Sequence, residues 1–452
     1  MGLLLNLAYL VAVILASPWL IYRLVLRGDW HELPARFGWG LGSGLEGSIW
    51  LHGASAGEIS LLEPLVKLIE RDMPTTPLVI SAYSSTGLAA ARRAYPRHRV
   101  IFFPFDLTFI VSHFLSFFAP RLIVIVESDF WPNFLAAAQR LEISVAVING
   151  KMSMKSFERN AKIHLLPILL RRIPLFAVQS QEHAERLRRL GVPEERLCVT
   201  GNMKYDLVRP LTPLEQAAEI RSALGYRDGD VVVIGGSVHE KEDEALLDAF
   251  LGMTAHGSPG ALILVPRYPR DAYRIEQAVR ARGQPAVLKT AVDRGEQSPP
   301  GSRGVLIVDT VGELRTLYEV ADIAFVGGSL FNRGSNKGGH NLMEPAILGL
   351  PILFGPYHFS FRETVEELLR ADAGIEVQDG TELEAALIAL AGNHERRQDL
   401  GGRAHDVVLR SQGATQRNYE LLIPLLHSGG ERLPASPFES TMPPAVGDTD
   451  ST

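Results

Sequence analysis

Glycine, basic and amide side chains are concentrated in one stretch of the sequence, residues 323–356. An apolar segment, Ile323 to Val326, ends at Gly327-Gly328-Ser329, and the polar loop after it contains Arg333, Lys337, Gly338, Gly339 and His340. We expect Asn341 to begin a helix, with Glu344 three residues later. Backbone N–H groups, cations and a helix N-terminus at the carboxyl end of parallel strands favour phosphate. The stretch therefore predicts a nucleotide or sugar-phosphate site, although Asn341 with Glu344 also fits a capping box, which needs no ligand.

Carboxylates follow two other apolar segments. The segment His52-Gly53-Ala54-Ser55-Ala56-Gly57-Glu58 comes after a predicted strand, Ser48 to Leu51, and precedes a predicted helix, Ile59 to Glu70. Glu58 is then in the first helical turn, where we expect the helix dipole to lower its pKa and keep it ionised at neutral pH. Ser55 with Glu58 is also a capping-box pattern. Glu127-Ser128-Asp129-Phe130-Trp131 follows a predicted strand, Arg121 to Val126, and is a second site candidate.

Short apolar segments alternate with helical patterns along the whole chain. The remaining predicted strands are Leu78–Ala82, Val100–Phe103, Ser144–Ile148, Leu175–Val178 and Leu197–Thr200, then Val231–Ile234, Ala261–Val265, Gly304–Val308, Ile323–Val326 and Pro351–Phe354. This alternation predicts a doubly wound parallel sheet. The two prolines between Leu207 and Pro213 predict a linker, after which the pattern begins again. We also expect Ser237, with Glu240, to cap the helix that follows.

Composition restricts the class of protein. A chain of 452 residues is too long for one core, so two domains are expected. The net charge of −6 argues against nucleic acid as the main partner. The single cysteine, Cys198, excludes an internal disulfide, and no sequence motif indicates a metal site.

Residues 2–22 carry no charged side chain and are long enough, at about 30 Å as a helix, to cross a bilayer. Arg23, Arg27 and Arg36 follow, so the positive-inside rule predicts a membrane-anchored protein with a cytoplasmic body. A shallow interfacial anchor is the alternative, because Pro18 can kink the helix. The basic cluster from Arg92 to Arg99 fits either a solvated face or anionic lipid.

Nine motifs occur together in one order. They are HGASAGE at 52–58, ESDFWPN at 127–133, GNMKYD at 201–206, GGSVHEKEDE at 235–244, LVPRYPR at 264–270, GELRTLY at 312–318, GGSL at 327–330, GGHNLMEP at 338–345 and GPYHFSF at 355–361. In this order and spacing the chain resembles the 3-deoxy-D-manno-octulosonic acid (Kdo) transferase family of lipopolysaccharide biosynthesis. The resemblance covers nearly the whole chain.

The resemblance implies a GT-B fold, with two Rossmann-like domains and a cleft between them. The expected parts are an N-terminal membrane anchor (1–27), an acceptor domain (28–206), a donor domain (207–427) and a disordered tail (428–452). The implied reaction is inverting transfer of Kdo from CMP-Kdo to a lipid A precursor at the inner membrane, with no metal or other cofactor.

The resemblance also implies roles for individual residues. Glu58 matches the general base, and Ser55 and Glu127 are assigned to the acceptor side. The donor residues are Ser237, Arg267, Gly328, Ser329, Gly339, Asn341 and Glu344. Among these, Gly328, Ser329, Gly339 and Asn341 are expected to bind phosphate through N–H groups, and Glu344 to bind ribose hydroxyls.

The chain departs from the family pattern in several of the donor motifs. The glycine-rich loop is a few residues longer, through Asn332 to Asn336, and Ser360-Phe361 stands where Asn-Phe is usual. Val238 stands where a threonine is usual, and Tyr268 where a histidine is usual. Two alternatives stay open, and these departures support only the second. One is a GT-B enzyme that uses a UDP-sugar and a lipid acceptor. The other is a non-catalytic, membrane-tethered nucleotide-binding relative, against which the retention of both Glu58 and Glu127 argues.

Overall fold

The computed structural model describes residues 32–162, 165–209, 214–302, 304–334 and 338–427. The chain forms two α/β units, one from residues up to 207 together with those from 412 on, and one from Val208–Ser411. The predicted anchor (1–27) and the predicted disordered tail (428–452) lie outside the described residues, as does Lys337. No helix within the described ranges combines the length and apolar character needed to span a bilayer.

The first unit alternates strands and helices. Its strands are β1 (Ile49–Gly53), β2 (Leu78–Ala82), β3 (Arg99–Phe102), β4 (Leu122–Val126), β5 (Ser144–Gly150), β6 (Leu175–Val178) and β7 (Leu197–Val199). Its helices are α1 (Leu33–Arg36), α2 (Ala56–Asp72), α3 (Ser85–Ala94), α4 (Thr108–Phe118), α5 (Pro132–Arg140), α6 (Met154–Lys162), α7 (Leu165–Leu170) and α8 (Gln181–Arg189), with 3₁₀ turns at Glu194–Arg196 and Met203–Leu207.

All strands of the first sheet are parallel, in the order β3-β2-β1-β4-β5-β6-β7. Successive side chains point to opposite faces of the sheet, so Trp50 packs in one buried cluster and its neighbours Ile49 and Leu51 pack in the other. The strand order reverses between β1 and β4. Loops at such a switch point diverge and leave a crevice for a ligand at the carboxyl edge. Here those loops begin after Gly53 and Val126.

The second unit repeats the plan. Its strands are β8 (Val231–Val238), β9 (Gly260–Pro266), β10 (Ala286–Leu288), β11 (Val305–Ile307), β12 (Ile323–Val326), β13 (Ile352–Phe354) and β14 (Ile375–Glu376). Its helices are α9 (Leu214–Ala223), α10 (Glu242–Ala255), α11 (Ala272–Ala281), α12 (Lys289–Asp293), α13 (Leu314–Tyr318), α14 (Met343–Ile347), α15 (Arg362–Arg370), α16 (Gly380–Ala391) and α17 (His394–Ser411), with 3₁₀ turns at Pro269–Asp271 and Phe359–Phe361.

The second sheet is also parallel, in the order β10-β11-β9-β8-β12-β13-β14. Its order reverses between β8 and β12. The switch point therefore lies between the loop after Val238 and the glycine-rich loop after Val326, which is the stretch predicted to bind phosphate. Two short strands, Ala286–Leu288 and Ile375–Glu376, were not predicted, because two or three residues are too few to show a period.

The last described helix, α18 (Ala414–His427), corrects the predicted domain boundary at residue 427. It belongs to the first unit, where Tyr419, Leu422 and Leu425 are buried in the same cluster as β1. Asn418, which is fully buried, donates its side-chain amide to the Thr200 hydroxyl at 3.0 Å. The apolar side of α18 packs against the first unit and completes its hydrophobic core. The sequence did not reveal this assignment, because α18 follows the second unit in the chain and its contacts are with residues far away in sequence.

Candidate active site

Glu58 lies on the first turn of α2, directly after β1. Ser55 is the N-cap of α2, and its hydroxyl accepts the N–H of Glu58 at 3.4 Å. The Glu58 carboxylate in turn accepts the Ala54 N–H at 2.8 Å and the Ser55 hydroxyl at 3.0 Å. The capping interaction is therefore present. It also fixes the direction of the carboxylate at the carboxyl edge of the sheet, so the capping and site interpretations are compatible.

Glu127 is brought to the same edge by β4, which pairs with β1. Its backbone has a positive φ of 64°, a conformation that a non-glycine residue rarely adopts and that is often found at functional sites. The residue is 7% exposed, and its carboxylate forms an ion pair with Lys151 Nζ at 2.5 Å. Lys151 follows β5, the next strand, and was not singled out by the sequence.

The prediction that helix position lowers the pKa of Glu58 is wrong. Burial raises the pKa of the Glu58 carboxyl above its ordinary value, and the negative charges of Glu127 and Asp129 raise it further. The hydrogen bonds from Ala54 and Ser55 oppose this shift without cancelling it. A raised pKa makes the ionised Glu58 a stronger base, because its carboxylate binds a proton more tightly.

His52 and Asp129 form a second pair at this edge. His52 Nε2 lies 2.8 Å from the Asp129 carboxylate, and His52 Nδ1 lies 2.9 Å from the Ser81 hydroxyl. The Trp50 indole N–H donates to that hydroxyl at 2.8 Å. Burial raises the pKa of Asp129, but the hydrogen bond and charge of His52 outweigh it, so the net pKa is lowered. Asp129 is thus held ionised beside Glu58.

In the second unit, a cavity of about 370 Å³ opens near the switch point. It is lined by Ser237, Arg267, Gly312, Leu314, Arg315, Tyr318, His340, Asn341, Glu344 and Phe361. The structure thus brings four of the predicted donor residues, Ser237, Arg267, Asn341 and Glu344, to one cavity. In the described ranges, no group of three or more His, Cys, Asp and Glu side chains is placed to hold a metal ion.

The amides of Gly328 and Ser329 do not point to an open phosphate position. The N–H groups of Gly328, Ser329 and Leu330 donate to the Glu242 carboxylate at 2.7, 2.8 and 2.8 Å. The same carboxylate accepts the His239 N–H at 3.0 Å. The anion predicted for these amides is therefore a carboxylate of the chain itself, 1% exposed. This corrects their expected role as direct phosphate donors.

The predicted helix start at Asn341 is two residues early. Helix α14 begins at Met343, whose N–H donates to Asn341 Oδ1 at 3.1 Å. The Asn341 amide donates to Glu344 Oε1 at 3.1 Å, so the two side chains bind each other and do not form a capping box. Burial raises the pKa of Glu344, while Arg315 and Asn341 oppose that shift. Gly339 has a positive φ of 78°, and its N–H donates a hydrogen bond to the Gly328 carbonyl oxygen at 2.6 Å. This amide is therefore also occupied within the protein.

The predicted cap of Ser237 with Glu240 is absent. Strand β8 continues to Val238, so Ser237 is its penultimate residue, with a positive φ of 56°, and α10 begins only at Glu242. The interaction that fastens this loop is two residues further on, between His239 and Glu242.

His239 and His340 are a pair that sequence reasoning did not connect. Their Nε2 atoms are 2.9 Å apart. The Tyr268 ring meets His239 edge-on, with 5.9 Å between centroids, and the Arg267 guanidinium lies 5.5 Å from the Tyr268 centroid. Burial and the charges of Arg267 and Arg333 lower the pKa of both histidines to about 4.

Comparisons with known proteins agree with this architecture. A family model described as 3-deoxy-D-manno-octulosonic-acid transferase (kdotransferase) matches residues 31–207. Similar folds include the crystal structure of Anabaena HepE in complex with UDP, which has a TM-score of 0.53, is 14% identical and covers 83% of this chain and 99% of that one. At that identity the likeness shows the fold alone, a GT-B-like fold with two Rossmann-like sheets.

Two curated relatives match over most of their length. The 3-deoxy-D-manno-octulosonic acid transferase of Haemophilus influenzae is 30% identical over 381 residues, which cover 84% of this chain and 87% of the relative. The transferase of the same name from Chlamydia muridarum is 29% identical over 428 residues, covering 92% of this chain and 95% of the relative. The chain therefore belongs to the 3-deoxy-D-manno-octulosonic acid transferase family.

Proposed function

We propose that this protein transfers Kdo from CMP-Kdo to a hydroxyl group of a lipid A precursor, with inversion at the anomeric carbon. Family membership supports Kdo as the transferred sugar. The observation that supports the reaction mechanism is the environment of the Glu58 carboxyl group. A general base must lie at a ligand-binding edge and have an affinity for protons suited to its task. Glu58 lies at the switch point of the first sheet, and burial raises its pKa.

The acceptor side of the reaction belongs to the first unit. Glu58 takes the proton of the acceptor hydroxyl as that oxygen attacks the anomeric carbon, and the phosphate leaves from the opposite side. The Glu127 carboxylate, anchored by Lys151, is placed to accept a hydrogen bond from a sugar hydroxyl. Ser55 contributes indirectly, because its hydroxyl already donates to Glu58 and orients it.

The donor side belongs to the cavity of the second unit. Arg267 supplies positive charge for the phosphate or the Kdo carboxylate, and Asn341 and Glu344 offer polar groups to the ribose. Ser237 lines the same cavity. The amides of Gly328, Ser329 and Gly339 make hydrogen bonds within the protein that hold the glycine-rich loop in place. These residues therefore contribute to donor binding by positioning the loop, and not by direct contact through their N–H groups.

The proposed membrane attachment is supported by the sequence and by three exposed aromatic side chains. Residues 2–22 form an uncharged apolar segment. In the first unit, Phe37, Trp39 and Phe109 are 44%, 74% and 65% exposed, and exposed aromatic side chains suit the boundary between lipid and water. An enzyme held at the inner membrane, with its body on the cytoplasmic side, meets a lipid substrate at high effective concentration.

The test is mass spectrometry of a tetraacylated lipid A precursor after incubation with detergent-solubilised full-length protein and CMP-Kdo. We expect a mass increase of one or more Kdo units. A parallel reaction with UDP-sugars addresses the other glycosyltransferase class. Transfer from a UDP-sugar, with none from CMP-Kdo, would overturn the proposal, as would CMP binding without transfer of any sugar.

A further inference from the structure

The His239–His340 pair joins the two loops of the second switch point. His239 follows β8, and His340 ends the glycine-rich loop that follows β12. Their Nε2 atoms are 2.9 Å apart, and the rings are 17° from parallel. His239 is 8% exposed, while His340 lines the cavity that also contains Arg267. An ionisable pair thus forms part of the wall of the donor cavity.

The geometry limits how many protons the pair can hold. A hydrogen bond between two imidazole nitrogens needs one N–H and one lone pair. If both rings are neutral the bond forms, and if one ring is a cation the bond also forms, with the charge strengthening it. If both rings are cations, two N–H groups face each other and the bond is lost. The intact pair is therefore either neutral or singly charged.

The surroundings keep the empty pair neutral. Arg267 faces it from the loop after β9 and Arg333 from the glycine-rich loop, and burial together with these charges lowers the pKa of both histidines to about 4. Tyr268 lies edge-on to His239, and Glu242 accepts the His239 N–H. Arg315 and Glu344 line the same cavity as His340. His358, paired with Glu376 at 3.0 Å, lies behind Gly339.

We propose that the His239–His340 pair takes up one proton when a phosphate or carboxylate group of the sugar nucleotide enters this cavity. This inference rests on the proposed function, which places the donor there. A unit negative charge about 4 Å away, at an effective dielectric constant of about 20, favours the protonated imidazole about a thousandfold. An effect of that size restores protonation near neutral pH. The added proton goes to the free Nδ1 of the ring whose Nε2–H makes the bond, so the hydrogen bond between the two Nε2 atoms persists.

The added charge has a use in the reaction. As the bond between the anomeric carbon and the phosphate oxygen breaks, its electron pair goes to that oxygen and the negative charge of the nucleotide increases. The new bond forms to the acceptor oxygen, whose proton goes to Glu58. The proton on the histidine pair is not transferred. It offsets the charge that develops on the leaving phosphate, as fixed positive groups do in other phosphate sites.

The first test is calorimetric titration of the full-length protein with CMP at pH 7.5, in two buffers of different ionisation enthalpy. Wild type is compared with the double variant His239→Asn/His340→Asn. Any protonation of CMP itself is common to both, so the difference reports the pair. We expect wild type to take up more protons than the variant, by at most one per CMP. His405→Asn, on α17, should match wild type. Equal uptake in wild type and the double variant, or a difference of two protons, would overturn the proposal.

The second measurement avoids dependence on the double variant. Nitrogen-15 spectra of histidine-labelled wild type, assigned with the single variants His239→Asn and His340→Asn, report the charge of each ring directly. On addition of CMP, both resonances should move toward imidazolium values. Binding of CMP without that movement overturns the inference about the pair alone. Absence of CMP binding by wild type overturns the proposed donor site and this inference with it.

Discussion

The Oε1 atom of Glu242 lies 2.8 Å from the amide nitrogen of Ser329 and accepts its hydrogen bond inside the protein. Because the same carboxylate also accepts the N–H groups of Gly328, Leu330 and His239, Glu242→Ala leaves several buried donors without a partner. We expect the variant to lose about 3 kcal/mol or more in the free energy of unfolding, and to bind CMP weakly. Urea denaturation and CMP titration measure the two effects.

Glu240→Ala is the matched control, since Glu240 is exposed two residues earlier on the same loop. It should change the unfolding free energy by less than about 0.5 kcal/mol. If Glu242→Ala were as stable as Glu240→Ala, the carboxylate would not be the group that fastens the two loops.

Glu58→Gln should lower the rate of Kdo transfer by about a hundredfold or more, because the amide cannot accept the acceptor's proton. Its oxygen can still accept the Ala54 N–H, so folding and CMP binding should stay near wild type. Glu63→Gln provides the control, since Glu63 lies on the same helix, exposed and paired with Lys67. Transfer at the wild-type rate by Glu58→Gln would leave Glu58 with only its capping role.

Because the pKa of Glu58 is raised, we expect the plot of kcat/KM against pH to have an acid limb, the region at low pH where the rate falls as Glu58 is protonated. Only the ionised carboxylate accepts a proton, so the rate should fall as pH falls through that pKa. Glu127→Gln removes a negative charge that raises the pKa of Glu58. We therefore expect its acid limb to lie at lower pH than in wild type, whatever the loss in overall rate. Profiles of kcat/KM against pH measure the position of the limb.

Lys151→Met makes the opposite change, because it removes the positive partner of Glu127. Its acid limb should move to higher pH. Movement of both variants in the same direction would contradict the assignment of this limb to Glu58 and its neighbours.

Asn341→Ala removes the oxygen that accepts the Met343 N–H and the amide that donates to Glu344. We expect CMP affinity to fall about twofold to tenfold, the usual effect of losing a hydrogen bond. Asn341→Ser keeps an oxygen for Met343 but not the bond to Glu344, so it separates the two contributions. Unchanged CMP affinity in Asn341→Ala would count against the placement of the donor beside this loop.

Much of the fold was predictable, because buried parallel strands are apolar along their whole length. Ile323–Val326 and Leu175–Val178 have the predicted bounds for this reason. It was also predictable that Glu58 and Glu127 lie at the same edge of the sheet, because both follow strands and the carboxyl ends of parallel strands meet at one edge. What was missing was the strand order, which places β1 beside β4 and makes that edge a switch point.

The electrostatics and the amide interactions were not predictable in the same way. The pKa of Glu58 is set by burial and by carboxylates distant in sequence, so a rule based on helix position alone gave the wrong sign. The role of Glu242 depends on where β8 ends. That strand continues four residues beyond the predicted end at Ile234, so Ser237 lies within the strand, and the glutamate that accepts a loop N–H is Glu242 rather than Glu240. A glycine-rich loop predicts that backbone amides bind an anion. The sequence did not show that this anion is the carboxylate of Glu242, inside the protein, and not a ligand phosphate.

Because α18 belongs to the first unit but is synthesised last, it determines which of the two units can complete its folding first. The second unit is one uninterrupted segment, Val208–Ser411, and has its whole core once that segment has left the ribosome. The first unit, although synthesised earlier, lacks one side of its core until Ala414–His427 follows. Asp206 accepts the N–H groups of Gly413 and Thr415, at 2.6 and 2.5 Å, and so ties the late helix to the end of the early segment. The unit that carries Glu58 is therefore the last to be completed, so a prematurely terminated chain lacks that unit in its finished form.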